Sequence, residues 1–501
     1  MKLARTAPLF LLLIAGATAF LAVSSQSLWI DEANSAVKAI VPTWSEFVAK
    51  MSVERGSDLQ MPGYMILLWI WEKAFGPSEY GLRSLNIPFF LGALTVICFG
   101  LRASFQRKLL FVIFTCSSAF LWAYLDEARP YMFQFFGSVL VMTGLYNMAT
   151  QNKCDLTIVD TLYVLLGIVL LLASSLSTLF FALILGLIFL SLLIKSHSTA
   201  SLYRNRTLLF FTLLTILSVT ALGVYYFWTL RVGAKASAVG RTNLTSIIFC
   251  FYELAGFTGI GPSRVELRME PFQALGRFLP ILAVYAGALG CLCLLCLASI
   301  WDCPGKWLKV ISILTFAMIV GIAMMIALGL TTHFRVLGRH LMPSFPFFLL
   351  AISVAADRAI AKFGRVALGA IGMFIVLSLF SSLQIRLAVR HAKDDYRSAS
   401  AFAKATIASG GTVWWAADKA GAEYYGLSIG VPNKTGKLSP QIAVNMIGIP
   451  EIERDTIQPP AVVILSKEDI YDPSGSLRTW MSQHHYMISQ GFHSFKVYVA
   501  R

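Results

Sequence analysis

Two pairs of adjacent carboxylates are the residues best suited to chemistry. Asp31 and Glu32 stand in Trp29-Ile30-Asp31-Glu32-Ala33-Asn34, directly behind an apolar stretch. Asp126 and Glu127 stand in Tyr124-Leu125-Asp126-Glu127-Ala128-Arg129-Pro130-Tyr131, between two others. Charges beside apolar runs need a reason, because an unpaired buried charge costs several kcal/mol. Two acid pairs on one side of a membrane can surround a single cleft, where one carboxylate acts as general base and the others hold substrate or a divalent cation. Arg129 and other basic residues nearby could balance these charges or bind phosphate. Acids also mark helix ends, favour helix N-termini and reach for interfaces with no catalytic role. The residues alone leave that choice open and do not define a reaction.

The elements that must position these groups are membrane helices. Of 501 residues, 57% are hydrophobic and only 13% charged, where soluble domains carry about 25% charged. The mean hydropathy is +0.70. A soluble core stops growing near about 300 residues, so this much apolar surface needs lipid. A secreted disulfide scaffold, an ordinary cytosolic enzyme and a disordered chain are excluded. The net charge of +15 does not come as a Lys/Arg run of nucleic-acid type. It follows the tendency of basic residues to collect on the cytoplasmic side of membrane helices. The expected partner is therefore the lipid bilayer and not nucleic acid. Cys291, Cys293 and Cys296 share one apolar run and read as small hydrophobes.

A spanning helix needs about 20 mostly apolar residues. The first run, about 7–23, follows Lys2 and Arg5 and has no convincing cleavage site, so it is expected to remain as the first helix. Further runs near 84–101, 109–125, 131–149, 158–175, 177–194, 207–230, 278–300, 308–330, 341–356 and 366–383 bring the expected number to about eleven. The run Met61–Phe75 is short, carries Trp69, Trp71, Glu72 and Lys73, and is expected to lie flat at the interface. With the N-terminus in the cytoplasm, the inner loops hold Lys2, Arg5, Arg102, Arg107, Lys108, Lys153, Lys195, Arg204, Arg206, Lys306, Lys309, Arg358, Lys362 and Arg365. Their acids are only Asp155, Asp302 and Asp357. That bias places the N-terminus inside and the C-terminus outside.

The expected architecture is thus a polytopic α-helical membrane domain over 1–383 and a small soluble α/β domain over 384–501. Two outer loops, 24–83 and 231–277, carry helices at the outer face. In the tail, a helix is expected over Asp394–Ile407, with strands at Thr412–Ala416, Ala461–Leu465 and Phe495–Val499. Helices over Ala420–Tyr425 and Ser476–Tyr486 would cover that sheet. Within the second outer loop, Phe251–Pro262 holds three glycines among aromatics, read as a tight turn or as a flexible wall. The alternating Arg264, Glu266, Arg268 and Glu270 read as a solvated face. His333 and His340 lie in one loop, but their spacing is no recognised zinc pattern.

The order of features resembles the GT-C glycosyltransferases, in particular the bacterial relatives of protein O-mannosyltransferases and lipid A aminoarabinose transferases (families 39 and 83). Four stretches carry the likeness: Trp29-Ile30-Asp31-Glu32-Ala33; Gln60-Met61-Pro62-Gly63-Tyr64 through Phe75-Gly76-Pro77 to Arg83; Ala128-Arg129-Pro130-Tyr131; and Arg335-Val336-Leu337-Gly338-Arg339-His340-Leu341-Met342-Pro343. The resemblance implies an integral-membrane inverting enzyme. It would take a sugar from a polyprenyl-phosphate donor and pass it to a lipid, glycan or protein acceptor on the outer face of a bacterial inner membrane. It implies Asp31 as general base. Glu32, Asp126, Glu127 and Tyr131 would shape the substrate pocket, and Arg83, Arg129, Arg335 and Arg339 would bind the phosphate. No cofactor is required by it, although a divalent metal held by Asp31, Glu32, Asp126 and Glu127 is compatible with it. Gln60 stands where relatives carry His or Lys, and His340 where Tyr is usual, so neither the donor sugar nor the acceptor carries over. A lipid-linked-sugar flippase or an inactive scaffold of envelope polysaccharide assembly is the alternative. A transporter, however, should place acids mid-membrane or show repeats, and this chain does neither.

Overall fold

Residues 2–54, 56–150, 157–195, 206–233, 240–301, 306–431, 442–447, 449 and 457–501 are described by a computed structural model. Lys153, Cys154, Asp155, Arg204, Asp302 and Cys303 lie outside the described residues. The chain divides into two compact units. The first comprises Met1–Ser24, Val48–Ala74 and Arg83–His391; the second comprises Ser25–Phe47, Phe75–Leu82 and Ala392–Arg501.

The first unit is helical, and each apolar run of the sequence becomes a helix. Seven helices among the described residues are long and apolar enough to cross a membrane: Glu79–Gly100, Leu176–Ile194, Arg206–Gly233, Pro271–Ile300, Leu308–Thr331, Gly338–Phe363 and Arg365–Leu387. An eighth span is made if Phe105–Ser117 and Ala119–Leu125, bent by 61°, count as one. The chain is a multi-pass membrane protein, with fewer such helices than the eleven runs. Ala7–Ala22 and Ile158–Ser174 are helical but shorter. Tyr131–Thr150 is a buried helix whose polar residues keep it out of the count. It packs closely on Ile158–Ser174, because a Cβ at Gly144 or Gly167 would come within 2.5 Å of the facing helix.

The bend at Ser117-Ser118 interrupts the helical hydrogen bonds, and the freed carbonyl finds new donors. Ser378 Oγ and Ser382 Oγ donate to the Ser117 carbonyl at 2.9 and 2.8 Å, as buried backbone inside a membrane protein requires. Ser118 caps the following short helix by accepting from the Leu121 amide. The second half therefore ends at Leu125, with Asp126 and Glu127 in the turn behind it.

The second unit contains a six-stranded sheet built from β1 (Val413–Ala416), β2 (Ile429–Gly430), β3 (Ala443–Asn445), β4 (Val462–Ser466), β5 (Tyr486–Phe492) and β6 (Phe495–Ala500), in the order β2-β3-β1-β4-β6-β5. β1 is parallel to β3 and β4, while β6 is antiparallel to β4 and β5. Alternation along β1 sends its two tryptophans to opposite faces. Trp415 joins Tyr396, Phe495 and Val497 in one core, and Trp414 joins Trp480 and Tyr486 in the other. Helices Tyr396–Ala408 and Lys419–Tyr424 lie close to the expected bounds. The helix expected to reach Tyr486 stops at Gln483. His485 takes a left-handed φ of 59° there, and the chain turns into β5.

Candidate functional site

Asp31 and Glu32 occupy the first turn of helix Ile30–Ala39, in the second unit. Ala33, Ala36 and Ala39 are fully buried at three-residue spacing, so one thin face of this helix packs tightly. Ile30 reaches the core that holds Tyr396 and Trp415. Glu32 is completely buried and accepts from Lys393 Nζ at 3.0 Å. Asp31 points elsewhere and keeps partial access to solvent. Three residues on, Asn34 donates to the Ile30 carbonyl at 2.9 Å and to Asp418 Oδ1 at 3.5 Å. Asp418 caps helix Lys419–Tyr424, accepting from the Ala420 and Gly421 amides at 2.9 and 3.3 Å. Burial pushes the Asp418 carboxyl up, and the Asp31 charge adds to this, against the pull of those amides and Asn34.

The second acid pair and the remaining candidates lie in the first unit. Asp126 accepts from the Ser24 amide at 2.6 Å and from its hydroxyl at 2.9 Å. Arg83 is fully buried, donates to the Ser24 carbonyl at 3.1 Å and stands 3.8 Å from Asp126. This ring ties the end of the first helix to the turn behind the bent pair. Asn86 holds the same turn by donating to the Leu125 and Glu127 carbonyls. Arg129 donates to Asp58 at 2.8 Å, with both side chains buried. Tyr131 packs edge-on against Tyr124, centroids 4.8 Å apart.

A second network centres on Arg264, a residue read from the sequence as part of a solvated face. Arg268 and Glu270 are exposed, as expected. Arg264 instead donates to Glu253 at 2.6 Å and to the Tyr124 hydroxyl at 3.3 Å, and stands 3.8 Å from Glu127. Glu253 is buried and also accepts from the Gly338 amide at 3.1 Å. Burial works against the charge on Arg264, but Glu253, Tyr124 and Glu127 outweigh it and hold the guanidinium above its ordinary range. The side chain remains 46% exposed, so a cation fixed by three groups still faces outward. Arg335 is exposed and has no ion-pair partner among the described residues, while Arg339 is half-buried. His340 Nδ1 accepts from the Leu337 amide at 3.0 Å and His333 meets Arg241; the two histidines serve these separate partners.

The glycine-aromatic loop is bolted down. Ser381 Oγ donates to the Gly256 carbonyl at 2.7 Å and accepts from the Gly259 amide at 3.2 Å. A Cβ at Gly259 would stand 1.8 Å from the Ser381 carbonyl oxygen. Gly259→Ala is therefore expected to destabilise the protein by about 1–3 kcal/mol, the usual cost of overpacking, read as a lowered thermal midpoint in detergent. His391 also meets the Gly259 carbonyl, at 3.0 Å. Burial pulls its imidazole down to about 4, and Arg390 beside it acts the same way. The unfolded chain takes up this proton near pH 6.5 and the native site does not, so stability is full above that pH and falls toward pH 4. The loss amounts to at most about 3 kcal/mol. His391→Gln should flatten this part of the stability profile, checked by thermal unfolding at pH 7 and 5.

For a divalent metal, the candidate carboxylates are already engaged: Glu32 with Lys393, Asp126 with Ser24, and Glu127 near Arg264. Among the described residues no group of three or more His, Cys, Asp or Glu side chains is arranged to hold one.

The chain has the GT-C fold. The crystal structure of ArnT from Cupriavidus metallidurans bound to undecaprenyl phosphate matches with a TM-score of 0.54, over 98% of this chain and 97% of that one, at 10% identity. The apo state of the same protein matches with a TM-score of 0.53 over the same shares. At this identity the likeness concerns the fold. No family model and no curated protein matches the sequence.

Proposed function

We propose that the chain is an inverting glycosyltransferase of the bacterial inner membrane. It takes a sugar from a polyprenyl-phosphate carrier and passes it to a lipid, glycan or protein acceptor on the outer face, with the N-terminus cytoplasmic and the tail outside. The observation that carries this reading is a likeness running nearly end to end to an ArnT structure that holds undecaprenyl phosphate. Asp31 supports it: this carboxylate keeps partial solvent access, whereas Glu32 beside it is buried and paired.

In the proposed reaction an acceptor hydroxyl or amine attacks the anomeric carbon while Asp31 takes its proton. The bond to the phosphate oxygen breaks with its electron pair, and polyprenyl phosphate leaves with inversion at carbon. Phosphate is a competent leaving group, so the need is for cations that meet its growing charge, not for a strong acid. Arg264, Arg335 and Arg339 keep exposed or half-exposed guanidinium groups for that task, and Arg binds phosphate oxygens in pairs. Arg83 and Arg129 serve by holding the Asp126 turn and Asp58. Glu127 stands beside Arg264 and Tyr131 packs on Tyr124.

The test is sugar transfer by purified full-length protein in detergent. A panel of radiolabelled polyprenyl-phosphate sugars is offered with a crude envelope extract as acceptor. Label should move from one donor class only. No transfer from any donor by folded protein would replace this reading with the flippase or scaffold.

A further inference from the structure

The helix that carries Asp31 makes polar contacts with the far end of the chain. Lys393 meets Glu32 at 3.0 Å, and the Glu32 side chain is fully buried. Further along the same helix, Asp418 meets Asn34 at 3.5 Å. Asp31 and Asn34 are three residues apart on one helix and so share a face, which brings Asp31 beside Asp418. Asp418 is itself held in place: its Oδ1 accepts from the amides opening helix Lys419–Tyr424, and its own backbone amide donates to the Tyr396 hydroxyl at 3.3 Å. It sits in the loop leaving the carboxyl end of β1, between parallel neighbours β3 and β4, the edge where open α/β sheets place functional groups. We infer that Lys393 and Asp418 are positioning residues for Asp31: they hold Glu32 and Asn34, one and three residues further along the same helix, and thereby aim its carboxylate. The inference rests on the reading of Asp31 as the base.

Aim matters because a general base works only within hydrogen-bond reach of the proton it takes. A displacement of about 1 Å can cost about 10²-fold in rate. The two contacts, at 3.0 and 3.5 Å, lie within one turn and on different faces of it, and so restrain the rotation of the helix about its axis. Lys393 has a second effect. By taking up the Glu32 charge it leaves Asp31 as the solvent-accessible carboxylate of the pair.

The experiment has two arms, both on the full chain in detergent. In the first, amide hydrogen exchange is followed by mass spectrometry in Lys393→Ala, Lys393→Arg, Asp418→Ala and Asp418→Asn. Both alanine variants should speed exchange across residues 30–39 and leave the membrane helices at the native rate. The arginine and asparagine variants, which keep the contacts, should stay near native. Unchanged exchange in both alanine variants overturns the inference, whatever reaction the protein performs. In the second arm, the same variants are assayed with whichever polyprenyl-phosphate sugar the native protein uses. The alanine variants should lose about 10²-fold in kcat with little change in the KM for donor, and the conservative variants should recover most of it. A loss confined to KM would make these residues substrate contacts and overturn their positioning role. Faster exchange with no transfer by native protein would leave the grip on the helix intact and remove only the proposed reaction.

Discussion

Asp31→Asn is expected to lower sugar transfer by about 10²–10⁴-fold, the range that one positioned proton acceptor supplies. The substitution is nearly isosteric. The Asp31 carbonyl still accepts from Ser35 Oγ at 3.3 Å, and the contacts of Glu32 and Asn34 do not involve the replaced oxygen. Removing a negative charge beside Asp418 should, if anything, relieve repulsion. The loss should therefore appear in kcat, with binding of undecaprenyl phosphate, followed by native mass spectrometry, unchanged. A variant that transfers at the native rate would remove Asp31 from the mechanism; one that binds no lipid would make it a ligand contact.

The second large effect is on stability. Arg129→Ala leaves the buried Asp58 carboxylate without its cation at 2.8 Å. Breaking a buried pair on one side costs about 3–5 kcal/mol, because the remaining charge is stranded. The double variant Arg129→Met/Asp58→Asn removes both charges and should recover most of the loss. Thermal unfolding of the single and double variants in detergent checks this. If the single variant unfolds like native protein but loses transfer, Arg129 belongs with the phosphate-binding cations after all. Arg264→Ala should weaken donor binding and the fold together, because it too strands a buried carboxylate, that of Glu253.

What the sequence shows and what it hides follow from range. Apolar runs are local, and each one became a helix. Short runs of β-branched and aromatic residues at β1, β4 and β6 are visible for the same reason. The start of β5 was read as the end of a helix, because only the left-handed turn at His485 separates them and nothing in the residue types announces it. The pairings were hidden because they are long-range. Arg129 and Asp58 are 71 residues apart, and Lys393 and Glu32 are 361 apart. Glu32 looked equivalent to Asp31 as a neighbouring acid. A helix turns about 100° per residue, so one of two adjacent carboxylates faces a cation in the interior while the other faces water. Arg264 lies on the exposed face that alternating charges suggest, but its partner Glu253, on the preceding helix, is not visible from them.

That the Ser25–Phe47 segment belongs with Ala392–Arg501 has a consequence for how the protein is made. The segment leaves the ribosome early and the tail leaves it last. Until the tail arrives, Ile30 has no core to enter and Glu32 no lysine to neutralise it. A nascent chain can insert its apolar helices in order as they emerge, because each forms its own backbone hydrogen bonds. The stretch bearing the proposed base must instead wait for synthesis to finish, since pairings across such a span form late. Prematurely terminated chains would thus carry the membrane helices and yet lack the partners that hold the segment bearing the proposed base.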